Sequence, residues 1–462
     1  MSRTFNAYVP ARTLLLGATE ALLVGLAFVT AIVLCFGSDA DLVLGYEHGL
    51  IKIGLVVVVF FLCMWHLDLY DNQFLCSRFE VLPRLLQVVG IMSILLALVY
   101  YTYPQARLGW SVLVVGAILV IFLVFSWRQM FFSLLRQFDF VQRAIVFGTG
   151  SFAMALGREA RRRPELGINL LGYVDCHNQS GEVDGLPCLG TSAALPEIVR
   201  GNRVSRVIVA LDDRRGQLPI DELLKLKSQG VVVEKGDEFY ENITGKVALE
   251  SLRPSSLLFA NGYHPSRVQL AARSVISFVF AAIALVVISP FMLLAGIGIW
   301  LDTGRPIIFR QSRVGKDGKV FTIYKFRTMQ NDADRDGYHK PAQKADSRVT
   351  RVGHWLRRTR IDEIPQLYNI LRGDMSFVGP RPFVSSQEAE LVKLIPFYSR
   401  RLDVKPGATG WAQVNRGYCA SLEDNMEKLA YDLFYIKHMS VGFDILIVLR
   451  TFKILLLGRG AQ

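Results

Sequence analysis

The chain has 462 residues, 52% of them hydrophobic, and a formal net charge of +12. That length holds two or three domains, and that apolar share exceeds what a soluble domain usually carries, which points to a membrane protein. The charge alone fits nucleic acid, anionic lipid or phosphate-bearing substrates, but the basic clusters lie beside apolar runs, which favours lipid headgroups and phosphates and no nucleic acid partner.

Four apolar segments, Thr13–Phe36, Ile53–Leu69, Leu85–Tyr103 and Leu108–Trp127, come near the ~20 residues that a bilayer core requires. No small-residue cleavage signature follows the first, so it reads as a span rather than a removed signal peptide. Arg3 and Arg12 precede it, Arg78 and Arg84 separate the second segment from the third, and Arg128, Arg136 and Arg143 follow the fourth. The loop from Gly37 to Gly49 carries Asp39, Asp41 and Glu47 but no Lys or Arg. The positive-inside rule then puts both ends of a four-helix transmembrane bundle, residues 1–140, in the cytoplasm. Glu20 within the first span marks either a pathway or a carboxylate paired inside the bundle. The six cysteines have no CxxC or zinc-like spacing and read as free thiols.

From residue 141 to 265 the composition is that of a soluble α/β domain. Arg143–Phe147 reads as a buried strand, Gly148-Thr149-Gly150-Ser151-Phe152-Ala153 as a Gly-x-Gly-x-x-Ala turn, and Met154–Arg162 as the helix it opens. Asp175 ends the next strand-like run. This Rossmann-like order can receive a nucleotide phosphate at the helix N-terminus, with Gly148, Gly150 and Asp175 as the candidate residues, or can be a structural module that binds nothing. A nucleotide-sugar dehydratase or epimerase-like enzyme is the rival function suggested here. Such chemistry needs a Tyr-x-x-x-Lys pair, and no tyrosine in the chain has a lysine four residues on.

Residues 274–301 carry no charge and are long enough to span. Both flanks are basic, with Arg267 and Arg273 before and Arg305, Arg310, Arg313 and Lys316 after, so a crossing would export one positive cluster. Ser289-Pro290 falls inside the run, where proline frees a backbone carbonyl and bends the helix while serine can satisfy part of the loss. Periodicity alone leaves a fifth span and a helix that re-enters the same face equally open.

Lys319–Met329 alternates like a strand and ends in Lys325-Phe326-Arg327-Thr328-Met329. Asp332, Asp334 and Asp336 follow in a polar loop, either a metal-binding Asp-x-Asp motif of a metal-dependent glycosyltransferase or a solvated acidic stretch. Val352–Arg360 reads as a basic helix that brings Arg357 and Arg358 one turn before Asp362-Glu363. Adjacent carboxylates among arginines, followed by glycine and proline turns, suit attack on a phosphate: guanidinium groups keep a nucleophilic carboxylate ionised and offer a planar fork to phosphate oxygens. Val378-Gly379-Pro380-Arg381-Pro382 holds a further arginine in a turn. Pro406-Gly407-Ala408-Thr409-Gly410 and Tyr431-Asp432-Leu433-Phe434-Tyr435 come next, and Phe443–Leu457 reads as a helix lying in the membrane interface.

From about Arg267 to the C-terminus these blocks closely resemble the bacterial polyprenyl-phosphate hexose-1-phosphate transferases. The resemblance implies a catalytic domain over residues 266–462, a helix over 274–301 that is re-entrant and broken at Ser289-Pro290, and a cytoplasmic active site on the bacterial inner membrane. It implies Asp362 as nucleophile, Glu363 as the Mg2+ ligand, and Arg327, Arg357, Arg381 and Asp432 in substrate binding. The implied reaction moves hexose 1-phosphate from a UDP-hexose to undecaprenyl phosphate with release of UMP, and starts exopolysaccharide or O-antigen repeat units. The identity of the hexose and homo-oligomerisation stay open.

Overall fold

The structure, a computed structural model, describes residues 11–45, 48–67, 69–70, 78–137, 142–163, 167–174, 181–211, 218–252, 266–330, 346, 348–416 and 421–456. It divides into two compact units, Met1–Thr244 and Gly245–Gln462. The division precedes the Arg253–His264 linker because residues after Thr244 are bound to the second unit. Val247 N donates to Ala430 O at 3.0 Å, Lys246 pairs with Glu427 at 3.1 Å and Trp411 Nε1 donates to Gly245 O at 2.7 Å.

The first unit begins with the four expected helices, α1 (Ala11–Phe36), α2 (Gly49–His66), α3 (Arg78–Thr102) and α4 (Trp110–Gln137). Three of these regions are long and apolar enough to cross a membrane, and α2 is shorter. Val24, Phe28, Ile32, Phe60, Met64, Val88, Met92 and Val120 form their common core, while Leu22, Leu26, Ile51, Leu98, Ile118 and Phe122 face outward. An apolar exterior of this kind suits lipid rather than water.

Glu20 is paired. Arg128 donates through Nε to Glu20 Oε1 at 2.6 Å and through Nη1 to Leu69 O at 3.1 Å, and the Tyr70 hydroxyl donates to Glu20 Oε2 at 2.6 Å. Both charges are fully buried, and each would cost several kcal/mol without the other.

The α/β part follows with β1 (Gln142–Phe147), α5 (Ser151–Arg161), β2 (Ile168–Val174), β3 (Glu182–Val183), β4 (Leu186–Gly190), α6 (Leu195–Gly201), β5 (Arg206–Val209), α7 (Ile220–Ser228), β6 (Val232–Lys235) and α8 (Gly236–Thr244). The sheet order is β3-β4-β2-β1-β5-β6, with β1 parallel to β2 and β5 and only the β3–β4 pair antiparallel. The near-continuous apolar runs of β1 and β5 follow from burial on both faces. Cys35 and Cys63 are free thiols, but Cys188 is disulfide-bonded, which corrects the free-thiol reading; sequence spacing carries no information on such a pairing.

The second unit opens on α9, a 37-residue helix over Arg267–Thr303. The helix continues through Pro290, so Ser289-Pro290 removes a rung of its hydrogen bonding without ending it. Pro290 has no N–H to give to the carbonyl four residues back, and the Ser289 hydroxyl donates to that carbonyl, Val286 O, at 2.8 Å. One face of α9 packs Ala281 and Leu285 against Ile323, Leu367 and Ile370, then Ala295 and Ile299 against Phe326 and Leu356. The other exposes Phe278, Ile283, Val287, Phe291, Leu294 and Leu301.

Onto α9 are built the hairpin β7 (Ile308–Val314) and β8 (Val320–Phe326), α10 (Arg351–Arg358), α11 (Gln366–Arg372), β9 (Ser376–Val378), α12 (Ser385–Leu394), β10 (Gly407–Thr409), α13 (Trp411–Asn415), α14 (Leu422–Lys437) and α15 (Val441–Leu456). On α15, Phe443 and Ile447 are buried, while Ile445, Leu449 and Phe452 are exposed. Its Asp444 is no surface charge, since Arg273 of α9 donates to it at 2.6 Å.

Candidate active site

The site is assembled from the β7–β8 hairpin, the turn between α10 and α11, and the loop after β9. The hairpin register pairs Phe309 with Lys325 and Arg313 with Phe321. Residues opposite each other in a ladder share a face, and faces repeat every second residue, so Arg313 and Lys325 rise from the same side. Between α10 and α11, Arg360 adopts a left-handed backbone (φ 58°), unfavourable for a residue with a Cβ, and a single 3-10 turn, Ile361–Glu363, follows.

This turn presents the two carboxylates in unlike surroundings. Glu363 Oε1 accepts from Lys325 Nζ at 2.7 Å and from Arg381 Nη2 at 2.8 Å, and Arg360 lies 4.0 Å from Oε2. Burial alone would push the Glu363 carboxyl up, but Arg381, Lys325 and Arg360 outweigh it and hold the group well below the usual glutamate range. Asp362 Oδ1 is buried without a hydrogen-bond partner. Burial, together with the charge on Glu363, pushes the Asp362 carboxyl up to about 6 against the pull of Lys325, Arg360 and Arg357. An ionisable oxygen held bare beside a pinned anion is the arrangement of a reactive group and its supporting charge.

The loop that carries Arg381 is fixed from behind. β9 and β10 lie parallel, and their loops come so close that a Cβ on Gly407 would sit 2.0 Å from Gly379 N, so only glycine fits there. Arg401 donates through Nη2 to Arg381 O at 2.7 Å. It is buried, pairs with Asp432 at 3.2 Å and with Glu388 at 3.1 Å, and stacks 4.6 Å from the Phe383 ring centroid.

Of the residues singled out in the sequence, Asp362, Glu363 and Arg381 meet here. Arg357 stands beside them and donates through Nε to Thr328 Oγ1 at 2.8 Å; burial depresses its guanidinium while Asp362 supports it. Arg327 does not join this cluster. It is buried at the C-terminal end of α9, donating to the Thr303 hydroxyl and to Gly304 O, where a cation complements the free carbonyls of a helix end. Asp432 meets this cluster at one remove, paired with Arg401. Lys325 and Arg401 were not assigned roles: alternation along β8 identifies the side on which Lys325 lies, but no local pattern marks Arg401.

In the α/β part, Gly148 has φ 120° and an added Cβ would meet Ala210 O at 2.6 Å, so that glycine is required by the approach of the backbone. Gly150 caps α5 in extended backbone. Asp175 lies outside the described residues, as do Asp332, Asp334 and Asp336.

Among the described residues no group of three or more His, Cys, Asp or Glu side chains could hold a metal ion. Magnesium is commonly held by one or two carboxylates completed by substrate phosphates, and the bare Asp362 Oδ1 and Glu363 Oε2 fit that partial donor set. Beside the hairpin, an apolar groove of about 640 Å3 is lined by Leu285, Ser289, Met292, Trp300, Arg305 and Phe326.

Comparison with known proteins adds the following. A family model described as bacterial sugar transferase matches residues 268–458, and one described as CoA-binding domain matches residues 66–232. The chain is 32% identical over 375 residues to the UDP-glucose:undecaprenyl-phosphate glucose-1-phosphate transferase of Xanthomonas campestris pv. campestris, covering 77% of this chain and 75% of that one. It is 32% identical over 323 residues to the protein of the same name from Escherichia coli K12, covering 69% of this chain and 68% of that one. It is 40% identical over 222 residues to a UDP-N-acetylgalactosamine-undecaprenyl-phosphate N-acetylgalactosaminephosphotransferase of Aeromonas hydrophila, where the match spans 48% of this chain and about half, 52%, of the relative.

Proposed function

The chain belongs to the bacterial sugar transferase family, and on that premise we propose that it moves a hexose 1-phosphate from a UDP-sugar to undecaprenyl phosphate through a covalent intermediate on Asp362. The observation that carries this reading is the contrast within the acid pair: Glu363 is held by Lys325 and Arg381, while Asp362 Oδ1 is left bare beside them.

In the first displacement a carboxylate oxygen of Asp362 attacks the sugar-bearing β-phosphorus. The bond from that phosphorus to the bridging oxygen breaks, and UMP leaves with the electron pair. In the second, an oxygen of the polyprenyl phosphate attacks the same phosphorus, and the Asp362 carboxylate is released. Both steps bring anions together, so Lys325, Arg381 and Arg357 serve to offset charge at the reacting phosphate. Magnesium, bound by Glu363 with Asp362 and the substrate phosphates, would supply further charge neutralisation.

The acceptor cannot leave the bilayer and the donor cannot enter it, so the site belongs at the boundary. Three features support that placement: the apolar exposed side of α9, the half-buried α15, and the apolar groove with Arg305 in its lining. We take α9 to enter from the cytoplasmic face, bend at Pro290 and return to the same face, because its basic flanks resist export. UMP release by the purified protein, given a panel of UDP-sugars and undecaprenyl phosphate, tests the reaction. One UMP per protein released without acceptor, followed by continued release in step with a lipid-linked diphosphosugar once undecaprenyl phosphate is added, supports it; release of UDP would mark simple glycosyl transfer instead.

A further inference from the structure

Arg313 is an arginine with neighbours of the wrong kind. It rises from β7 on the same hairpin face as Lys325. Its Nη1 donates to Pro382 O at 3.1 Å and its Nη2 to Gln311 Oε1 at 2.5 Å, and its Nε is buried without a hydrogen-bond partner. It forms no ion pair among the described residues; Glu363, the carboxylate whose charge reaches it, already accepts from Lys325 and Arg381.

Two neutral acceptors orient a guanidinium but do not offset its charge, and a partly buried charge beside a like charge is unfavourable unless something compensates it. Burial and the repulsion of Arg381 lower the Arg313 guanidinium to about 10. If the residue only stapled the hairpin to the Pro382 loop, a neutral donor would do so without this cost. The repulsion is local: Arg313 stands beside Arg381, whose own partner Glu363 is already shared with Lys325. A diphosphate brings the missing charge, and arginine is suited to its oxygens because the planar fork donates two hydrogen bonds together.

We propose that Arg313 is a substrate-binding residue that takes the diphosphate of the nucleotide sugar on the Arg381 side of the acid pair. This rests on the functional reading above in naming the substrate, while the requirement for a diphosphate-like anion rests on the uncompensated guanidinium of Arg313 and its bare Nε alone. Arg313 contributes to holding the donor before the first displacement and does not touch the proton or electron accounting of either step.

The test uses the full chain in lipid nanodiscs. Inorganic pyrophosphate binding is measured calorimetrically and by the rise in melting temperature, and UDP-sugar turnover is measured on the same samples. Arg313→Gln is expected to weaken pyrophosphate binding at least tenfold and to raise KM for the UDP-sugar by a similar factor, with kcat changed less than threefold. Arg313→Lys, which keeps the charge and loses the fork, is expected to fall between the two with an unchanged melting temperature in the absence of ligand. Pyrophosphate affinity and KM within twofold of wild type in Arg313→Lys and Arg313→Gln would overturn the proposal, as would a loss confined to kcat; should Arg313→Gln not fold, Arg313→Lys alone decides. Absence of UMP release by the wild type with pyrophosphate binding still dependent on Arg313 would instead overturn the functional reading and leave the anion site standing.

Discussion

Asp362 and Glu363 are neighbours in one 3-10 turn, yet one oxygen of Glu363 is shared by two cations while Asp362 Oδ1 has no partner at all. The pinned carboxylate can be ionised at any ordinary pH, and the bare one carries a proton well above the usual aspartate range.

That difference gives a pH dependence with a definite sign. With its carboxyl raised from 3.8 to about 6, folded Asp362 keeps a proton that the unfolded chain gives up. Its contribution to stability is therefore full below pH ~4 and is lost as the pH rises through ~6. In metal-free buffer, Asp362→Asn should melt at the same temperature as wild type at low pH and at a higher one above pH ~6. Equal melting temperatures at pH 8 would contradict this environment for Asp362. In wild type, kcat/KM should rise through about pH 6 as the nucleophile ionises.

Removing the charge of Glu363 leaves Lys325 and Arg381 facing each other. Glu363→Gln should cut turnover at least ~100-fold, about 2.7 kcal/mol of barrier at the tenfold-per-1.36 kcal/mol scale. It should also shift the pH profile, because Asp362 loses a repelling neighbour and its carboxyl moves down. A Glu363→Gln enzyme within threefold of wild type would show that the pinned anion is dispensable.

Asp432 holds Arg401, which donates to the carbonyl of Arg381. Asp432→Ala takes one of two buried partners from Arg401, and breaking such a pair costs about 3–5 kcal/mol. Thermal unfolding should therefore show a large loss for Asp432→Ala and none for Asp362→Asn, although both reduce turnover. If Asp432→Ala kept its full melting temperature, Asp432 would be working on substrate directly.

Much of this was legible in the sequence, for identifiable reasons. The bundle, the strand–turn–helix order and the acid pair are written in local patterns: apolar runs of membrane length, period-two alternation, and contiguous blocks that match a family. The position of Arg327 was not, because its neighbour in the Lys-Phe-Arg block differs from it only in tertiary surroundings. Lys325 turns toward Glu363, whereas Arg327 lies past the strand end and closes onto Thr303 and Gly304. The serine before Pro290 was legible: a hydroxyl there can satisfy part of what the proline frees, and it donates to Val286 O. Glu20 and Arg128 lie 108 residues apart, a pairing that no window on the sequence can reveal.

The topology of α9 can be read with a reporter fused after Gly304. It should stay cytoplasmic in wild type; an exported reporter would make α9 an ordinary span. Ser289→Ala leaves Val286 O without its donor and should lower stability by about 1 kcal/mol, measured by unfolding in detergent.

The claim on which the account turns is that Asp362 becomes covalently loaded. Full-length protein incubated with UDP-sugar labelled in the hexose, without lipid acceptor, should retain label after denaturation on the peptide containing Asp362, lose it when undecaprenyl phosphate is added before denaturation, and retain none in Asp362→Asn. Wild-type protein that turns over when both substrates are present, yet never holds label in the absence of the acceptor, would contradict it.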